Sequence, residues 1–130
     1  MKNEDLLKIA KKFGTPTYVY DASKIESQYK RLTSSFKEVK NLRINYAVKA
    51  LSNISILKYI KNLGAGIDTV SVQEVILGLK AGFDPDKIIY TPNGVSVKEI
   101  EKVAEMGVNI NIDNLNVLEQ FGNLNPNIPI

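Results

Sequence analysis

The stretch Asn45-Tyr46-Ala47-Val48-Lys49-Ala50 decides the fold and points to the chemistry. Residues 42–48 are typical of a buried strand, and Lys49 follows at the carboxyl end of that strand. In α/β folds, chemistry takes place just beyond the carboxyl ends of the strands. A lysine amine in a pocket there can lose its proton and attack a carbonyl group, forming a Schiff base. The alternative is a surface lysine without such a role, because most lysines are solvated.

The side chains of this strand alternate between two faces. Asn45, Ala47 and Lys49 share one face, while the large residues share the other. The small side chains of Ala47 and Ala50 leave room beside the lysine for a flat, bulky group. The small and polar face therefore suits the interior of a barrel, and the large residues suit contact with a layer of helices.

A unit of strand followed by helix repeats four times along the chain. The predicted strands cover residues 43–48, 66–70, 88–90 and 109–112, and the predicted helices cover 54–63, 72–81, 97–106 and 115–121. Such alternation predicts parallel strands joined by right-handed crossovers. It fits either an open doubly wound sheet or part of a (β/α)₈ barrel. Residues 127–130 resemble the approach to a fifth strand, so we expect the front part of a longer protein.

Two helices and a short β run are predicted before these units. Apolar residues at helical spacing predict a first helix over residues 6–13, with Gly14 as its stop. Residues 17–20 form a short β run after Pro16. A second amphipathic helix is predicted from Ala22 to Lys37, with Asp21 as its N-cap. Asn53, Ser71, Ser96 and Asn114 are the N-caps that we predict for the later helices.

The composition narrows the possible functions. The chain has 130 residues, 44% of them apolar, which suits one globular domain or part of one. Its 17 basic and 14 acidic residues are interspersed, which argues against nucleic acid as a partner. No apolar stretch approaches the ~20 residues that a membrane span needs. The absence of cysteine fits the cytoplasm, and with histidine also absent we predict no metal site. Catalysis would therefore depend on Lys, Asp, Glu, Tyr or a cofactor.

Several polar residues follow the strands and would meet at one rim of a parallel sheet. Asp68 could hold the Lys49 amine in place, or it could be an ordinary loop acid or helix cap. Glu74 could serve the same site, although its place in the first turn of a helix favours a role at the helix dipole. Asn93 is first a turn residue and second a possible ligand contact.

Two motifs and their surroundings resemble a known family. Residues 46–50, Tyr-Ala-Val-Lys-Ala, resemble the lysine motif of the alanine-racemase-like, fold-type III enzymes that use pyridoxal phosphate, in their decarboxylase branch. Residues 64–74 resemble the second motif of that branch, Gly-x-Gly-x-Asp-x-x-Ser with a following Glu. Residues 13–21 and 81–88 are similar to the diaminopimelate decarboxylases. These matches run through almost the whole chain in the order of the family.

The resemblance implies a fold and a set of site residues. Residues 22–130 would be the first half of a pyridoxal-phosphate-binding (β/α)₈ barrel. Residues 1–21 would be a helix and a strand associated with a second, β-rich domain. Lys49 would be the catalytic residue and would hold pyridoxal 5'-phosphate as a Schiff base, with Asp68 as a further cofactor-binding residue. Four other residues would line the site: Ala47, Ser71, Glu74 and Asn93.

The resemblance also implies an activity. The whole enzyme would convert meso-2,6-diaminopimelate into L-lysine and CO2, the last step of lysine biosynthesis, as a cytoplasmic homodimer. The 130 residues alone would be inactive, because the family supplies its phosphate loop and ring-stacking histidine from other parts of the sequence. Two alternatives stay open. One is another decarboxylase of the same branch, acting on ornithine, arginine or carboxynorspermidine, and the other is a small non-catalytic α/β binding module.

Overall fold

The computed structural model describes residues 1–128 and 130. The chain divides into two compact units, Met1–Lys40 and Asn41–Ile130. The predicted approach to a fifth strand includes Pro129, which lies outside the described residues. The longest helix has 14 residues, and within the described part of the chain no helix is both long and apolar enough to cross a membrane.

The first unit contains two helices, α1 (Asn3–Phe13) and α2 (Ala22–Ser35). Both were predicted, although α2 ends two residues earlier than expected. The carboxylate of Asp21 caps α2 by accepting a hydrogen bond from the Lys24 backbone N–H, as predicted. It also bonds the N-terminal amine at 3.2 Å, and these two hydrogen bonds lower the pKa of Asp21.

The segment between these helices has no regular secondary structure. Residues 17–20, predicted as a short β run, join no sheet within the described residues, and Tyr18 is 91% exposed. A strand needs a neighbouring strand to satisfy its backbone groups, and sequence preference alone supplies none. The predicted place of this segment in a β-rich domain stays a prediction.

The second unit is a four-stranded parallel sheet with helices between successive strands. The strands are β1 (Asn45–Ala47), β2 (Gly66–Thr69), β3 (Ile88–Tyr90) and β4 (Asn109–Ile110), and they lie in the order β1-β2-β3-β4. The helices are α3 (Ile54–Asn62), α4 (Val72–Ala81), α5 (Val97–Ala104) and α6 (Leu115–Leu124). The predicted alternation and the parallel pairing are confirmed.

The main difference from the prediction concerns β1 and Lys49. The strand was predicted over residues 43–48, but it ends at Ala47, and a 3-10 turn follows over Val48–Ala50. The backbone N–H of Leu51 closes this turn by donating to the carbonyl of Val48 at 3.0 Å. Lys49 therefore lies in a tight turn after the strand. The strand alternation that was predicted to place it on the same face as Asn45 and Ala47 ends before it.

Three of the four predicted caps of the later helices form. The side chains of Asn53, Ser71 and Asn114 each accept hydrogen bonds from backbone N–H groups of the first turn. Ser96 does stand at the N-cap position of α5, as predicted, but its side chain makes no capping hydrogen bond. Helix α4 ends at Gly82, whose φ of 92° is the left-handed conformation that a glycine cap favours.

The two faces of the sheet differ as the alternation predicted. Ile67, Ile88 and Tyr90 are all 0% exposed and pack against the helices in one core. On the opposite face, Ala47 pairs with Asp68 in register, and Asp68 pairs with Ile89. These three residues are only half-buried. The helices thus cover one face, and the small and polar residues lie on the other.

Two glycines permit close approach where a side chain would collide. A Cβ on Gly78 of α4 would meet the Cδ1 atom of Ile67, so its absence lets the helix lie close to the sheet. A Cβ on Gly66 would meet Asn45 Oδ1 and would lie 2.7 Å from the carbonyl oxygen of Lys87. The latter oxygen belongs to the backbone and cannot move aside cheaply.

We expect Gly66→Ala to lower the free energy of unfolding by about 1–3 kcal/mol, the usual cost of overpacking a tight site. Gly122→Ala is the matched control, because a Cβ there meets nothing within 4 Å. In helix α6 that change should raise stability by about 0.5–1 kcal/mol. Urea unfolding of both variants measures the difference, and equal midpoints would contradict the close approach at Gly66.

Candidate active site

An open cavity of about 620 Å³ lies at the carboxyl ends of the strands. It is lined by residues from four successive strand ends: Lys49, Val70, Thr91, Pro92, Asn93, Asn111 and Asp113. The prediction that Lys49 and Asn93 share one rim is therefore confirmed. The Lys49 side chain is exposed, and its amine makes no hydrogen bond or ion pair with any described residue. The cavity thus contains an amine that is available to a ligand.

Asp68 reaches this cavity indirectly. It is half-buried and is not one of the residues that line the cavity. Its Oδ1 atom accepts a hydrogen bond from the hydroxyl of Thr91, which does line the cavity, at 2.5 Å. No ion pair joins Asp68 to Lys49 within the described part of the chain. The structure therefore connects Asp68 to the rim through Thr91.

Ser71 and Glu74 have structural roles at the start of α4. The hydroxyl of Ser71 accepts a hydrogen bond from the Glu74 backbone N–H at 3.2 Å. The carboxylate of Glu74 accepts one from the Val70 backbone N–H at 2.8 Å. The first bond is the N-cap of α4, and the second ties the Glu74 side chain back to the residue before that cap, so two backbone donors are satisfied at the start of the helix. The two bonds fix the chain just after β2, next to the rim.

The loop after β3 bends at Asn93 and Gly94, where the sequence predicted a turn. Asn93 is exposed and is followed by Gly94 with a φ of 67°. A second cavity, of about 150 Å³, adjoins the first, since both are lined by Pro92, Asn93 and Asp113. The rim therefore offers space on both sides of this loop.

The predicted site residues leave out five residues that line the larger cavity: Val70, Thr91, Pro92, Asn111 and Asp113. Two of these, Thr91 and Asn111, follow from the alternation along the strands. Each stands two positions beyond a strand residue of the helix-free face, Ile89 and Asn109 respectively. Because side chains alternate along a strand, this spacing places them on the same face. Extending the alternation past the strand ends would have found both.

Tyr90 anchors β3 on the helix side. Its side chain is fully buried, and its hydroxyl donates a hydrogen bond to Glu99 Oε1 of α5 at 3.3 Å. Burial, together with the nearby charge of Glu99, raises the pKa of Tyr90 to about 12. Tyr90 is therefore a packing residue whose hydroxyl has a partner.

Comparison with known proteins identifies the family. Residues 22–130 match the family described as "Pyridoxal-dependent decarboxylase, pyridoxal binding domain". The chain belongs to this family. Its four strand–helix units, with their polar rim, are part of the pyridoxal-binding barrel, which confirms the fold class predicted from the sequence.

Several curated relatives of this chain are diaminopimelate decarboxylases. The chain is 37% identical to the diaminopimelate decarboxylase of Methanothermobacter thermautotrophicus over 123 residues, covering 94% of this chain and 29% of the relative. It is 43% identical to that of Helicobacter pylori over 96 residues, covering 74% of this chain and 24% of the relative. The chain thus spans less than a third of the length of these relatives.

Solved structures of decarboxylases are also similar to this chain. A diaminopimelate decarboxylase from M. jannaschii in complex with L-lysine matches with a TM-score of 0.83 and 28% identity, over 91% of this chain and 29% of that one. A lysine/ornithine decarboxylase from Vibrio vulnificus with putrescine matches with a TM-score of 0.85 and 26% identity, over 96% of this chain and 34% of that one.

The residues at the rim fit the cofactor of the pyridoxal-dependent family. A volume of about 620 Å³ lies within the usual range of pockets for small molecules and cofactors. The unpaired amine of Lys49 matches an aldehyde, and Thr91, Asn93 and Asn111 offer hydrogen-bonding groups to its polar substituents. Only one side of the pocket is built from these strands.

We expect the alkaline stability of the protein to depend on Tyr90. Because the pKa of Tyr90 is raised from 10 to about 12, the folded protein holds the phenolic proton more tightly than the unfolded chain does. The free energy of unfolding should therefore fall as the pH rises from about 10 to about 12. Tyr90→Phe keeps the packing and removes this proton, so the loss of stability over that range should be smaller. Thermal unfolding of both proteins at several pH values measures it, and parallel curves would contradict the assignment.

Proposed function

We propose that this chain forms the cofactor-binding part of a diaminopimelate decarboxylase, which converts meso-2,6-diaminopimelate into L-lysine and CO2. The observation that carries the proposal is the unpaired amine of Lys49 in a cavity at the strand ends, in a chain of the pyridoxal-dependent decarboxylase family. The identities of 37% and 43% to diaminopimelate decarboxylases support this substrate.

Lys49 is the proposed catalytic residue and would hold pyridoxal 5'-phosphate as a Schiff base. When bound, the cofactor supplies an electron sink for the electrons left behind as CO2 departs. The chain contributes the placement of the amine. Val48, the first residue of the turn, is fully buried, and the Leu51 N–H closes the turn at its other end. The backbone that carries Lys49 is therefore held from both sides. The small side chain of Ala47 keeps the neighbouring part of the sheet face open.

The other proposed site residues surround this amine. Asp68 would be a cofactor-binding carboxylate, since it lies half-buried on the helix-free face with one oxygen held by Thr91. Asn93 would contact the ligand from the loop after β3. Ser71 and Glu74 would act by fixing the start of α4 through their hydrogen bonds to the backbone N–H groups of Glu74 and Val70.

The remaining parts of the proposal concern the whole protein. Residues 1–21 would belong with a β-rich second domain, and the enzyme would be a cytoplasmic homodimer that takes a small amino acid as its substrate. L-Lysine, the proposed product, is bound in the M. jannaschii and Helicobacter pylori diaminopimelate decarboxylase structures that match this chain.

We expect sodium borohydride to fix pyridoxal phosphate to Lys49 in the full-length enzyme, as peptide mass spectrometry would show. Lys49→Ala should lose this label and lower kcat by about 100-fold or more, which is the usual loss for a single proton-transferring group. Lys58→Ala, at an exposed lysine of α3, is the control and should keep both label and activity. A label on any other lysine would refute the assignment.

The second candidate is a decarboxylase of the same family with another substrate. It is favoured by the TM-score of 0.85 to the lysine/ornithine decarboxylase with putrescine. CO2 release from meso-diaminopimelate, L-lysine, L-ornithine and L-arginine separates the two. We expect turnover of meso-diaminopimelate to exceed that of the others by at least about 100-fold in kcat/KM, the order of discrimination that polar contacts support. Faster turnover of ornithine or lysine would favour the second candidate.

A further inference from the structure

We propose that Thr91 is a positioning residue that fixes the orientation of the Asp68 carboxylate at the edge of the Lys49 cavity. The inference rests on the proposed function, because it assigns Thr91 a task within the same site. Thr91 would act through Asp68, by holding one of its two oxygens.

The geometry joins these two residues across neighbouring strands. The hydroxyl of Thr91 donates to Asp68 Oδ1 at 2.5 Å. The backbone N–H of Thr91 donates to the carbonyl of Thr69 at 2.8 Å, which continues the pairing of β2 with β3 one residue beyond Tyr90. Thr91 is therefore held by the sheet itself, on the same face as Asp68.

The local sequence restricts both the backbone and the side-chain conformation of Thr91. Threonine is branched at Cβ, which restricts its χ1 angle. The next residue is the buried Pro92, and a proline confines the preceding residue to extended backbone conformations. The other acceptor near the hydroxyl, the carbonyl of Thr69, is 3.4 Å away and so is a weaker partner. Backbone and side chain together therefore direct the hydroxyl toward Asp68.

The consequence concerns the second oxygen of Asp68. Within the described residues, Oδ2 accepts no hydrogen bond, so one oxygen is held and the other is available to a ligand. The terminal torsion of an aspartate is broad when nothing holds it. The Thr91 hydroxyl removes that freedom before the cofactor arrives, which lowers the cost of ordering the site on binding.

The test compares two threonines that face opposite sides of the sheet. Thr91→Val in the full-length enzyme removes the hydroxyl and keeps the shape, and we expect the Kd for pyridoxal phosphate to rise about tenfold, the effect of one hydrogen bond to a charged group. Thr91→Ser should recover most of the affinity. Thr69→Val is the control, because the Thr69 hydroxyl is buried and donates to the carbonyl of Ile89 at 2.9 Å. It should lower the Tm of the apoprotein and leave the Kd unchanged.

A double-mutant cycle shows whether Thr91 acts through Asp68. If it does, Thr91→Val should weaken binding much less in the Asp68→Ala background, which lacks the acceptor oxygen, than in the wild type. An unchanged Kd in Thr91→Val, no recovery in Thr91→Ser, or an equal loss in both backgrounds would overturn the inference. These outcomes differ from a failure of the proposed function, in which the wild type itself would not fix pyridoxal phosphate at Lys49 and the inference would fall with it.

Discussion

The parallel register that aligns Ala47, Asp68 and Ile89 is the constraint on which the fold and the site both depend. It sets which side chains of three strands lie on the same face, and it brings the carboxyl ends of the strands to one rim. A shift of one residue in any strand would exchange its two faces. It would then bury Asp68 against the helices and expose Ile67 and Thr69. The arrangement of the site is therefore enforced by the core.

The energy that maintains this register comes from the helix side. Burying an aliphatic or aromatic side chain contributes about 1.5–3 kcal/mol, and Ile67, Ile88 and Tyr90 are each 0% exposed on that side. Gly78 strengthens the arrangement by letting α4 lie close to the sheet. The opposite face has few buried apolar groups and can carry polar residues without losing this stabilisation. Because the apolar face supplies the stability, the other face and its rim can present Asp68, Thr91 and Lys49.

The sequence was most informative where apolar periodicity and end signals coincide. Helix α4 was predicted with its observed bounds because Ser71 and Gly82 mark its two ends. The strand ends were less predictable, since β1 gives way to a 3-10 turn that depends on a backbone hydrogen bond and not on side-chain pattern. The Ser96 cap failed although a serine stands in the right place, because a suitable residue does not guarantee the hydrogen bond. The role of Thr91 was not predicted, because it depends on a partner 23 residues away.

Lys49 lies on a turn, whereas Asp68 and Thr91 are held by the pairing of β2 with β3. These two placements suit the different chemical roles proposed for the residues. In the proposed function Lys49 would form and release a covalent bond, which needs room to move, and Lys49 is exposed on a turn beyond the strand. A carboxylate that orients a ligand needs the opposite, and Asp68 is held within β2 by strand pairing and by a hydroxyl from the next strand. Preorganised polar groups are most effective when their supports are rigid. The chain thus places the exposed side chain of the proposed reactive residue beside polar groups that are held by strand pairing.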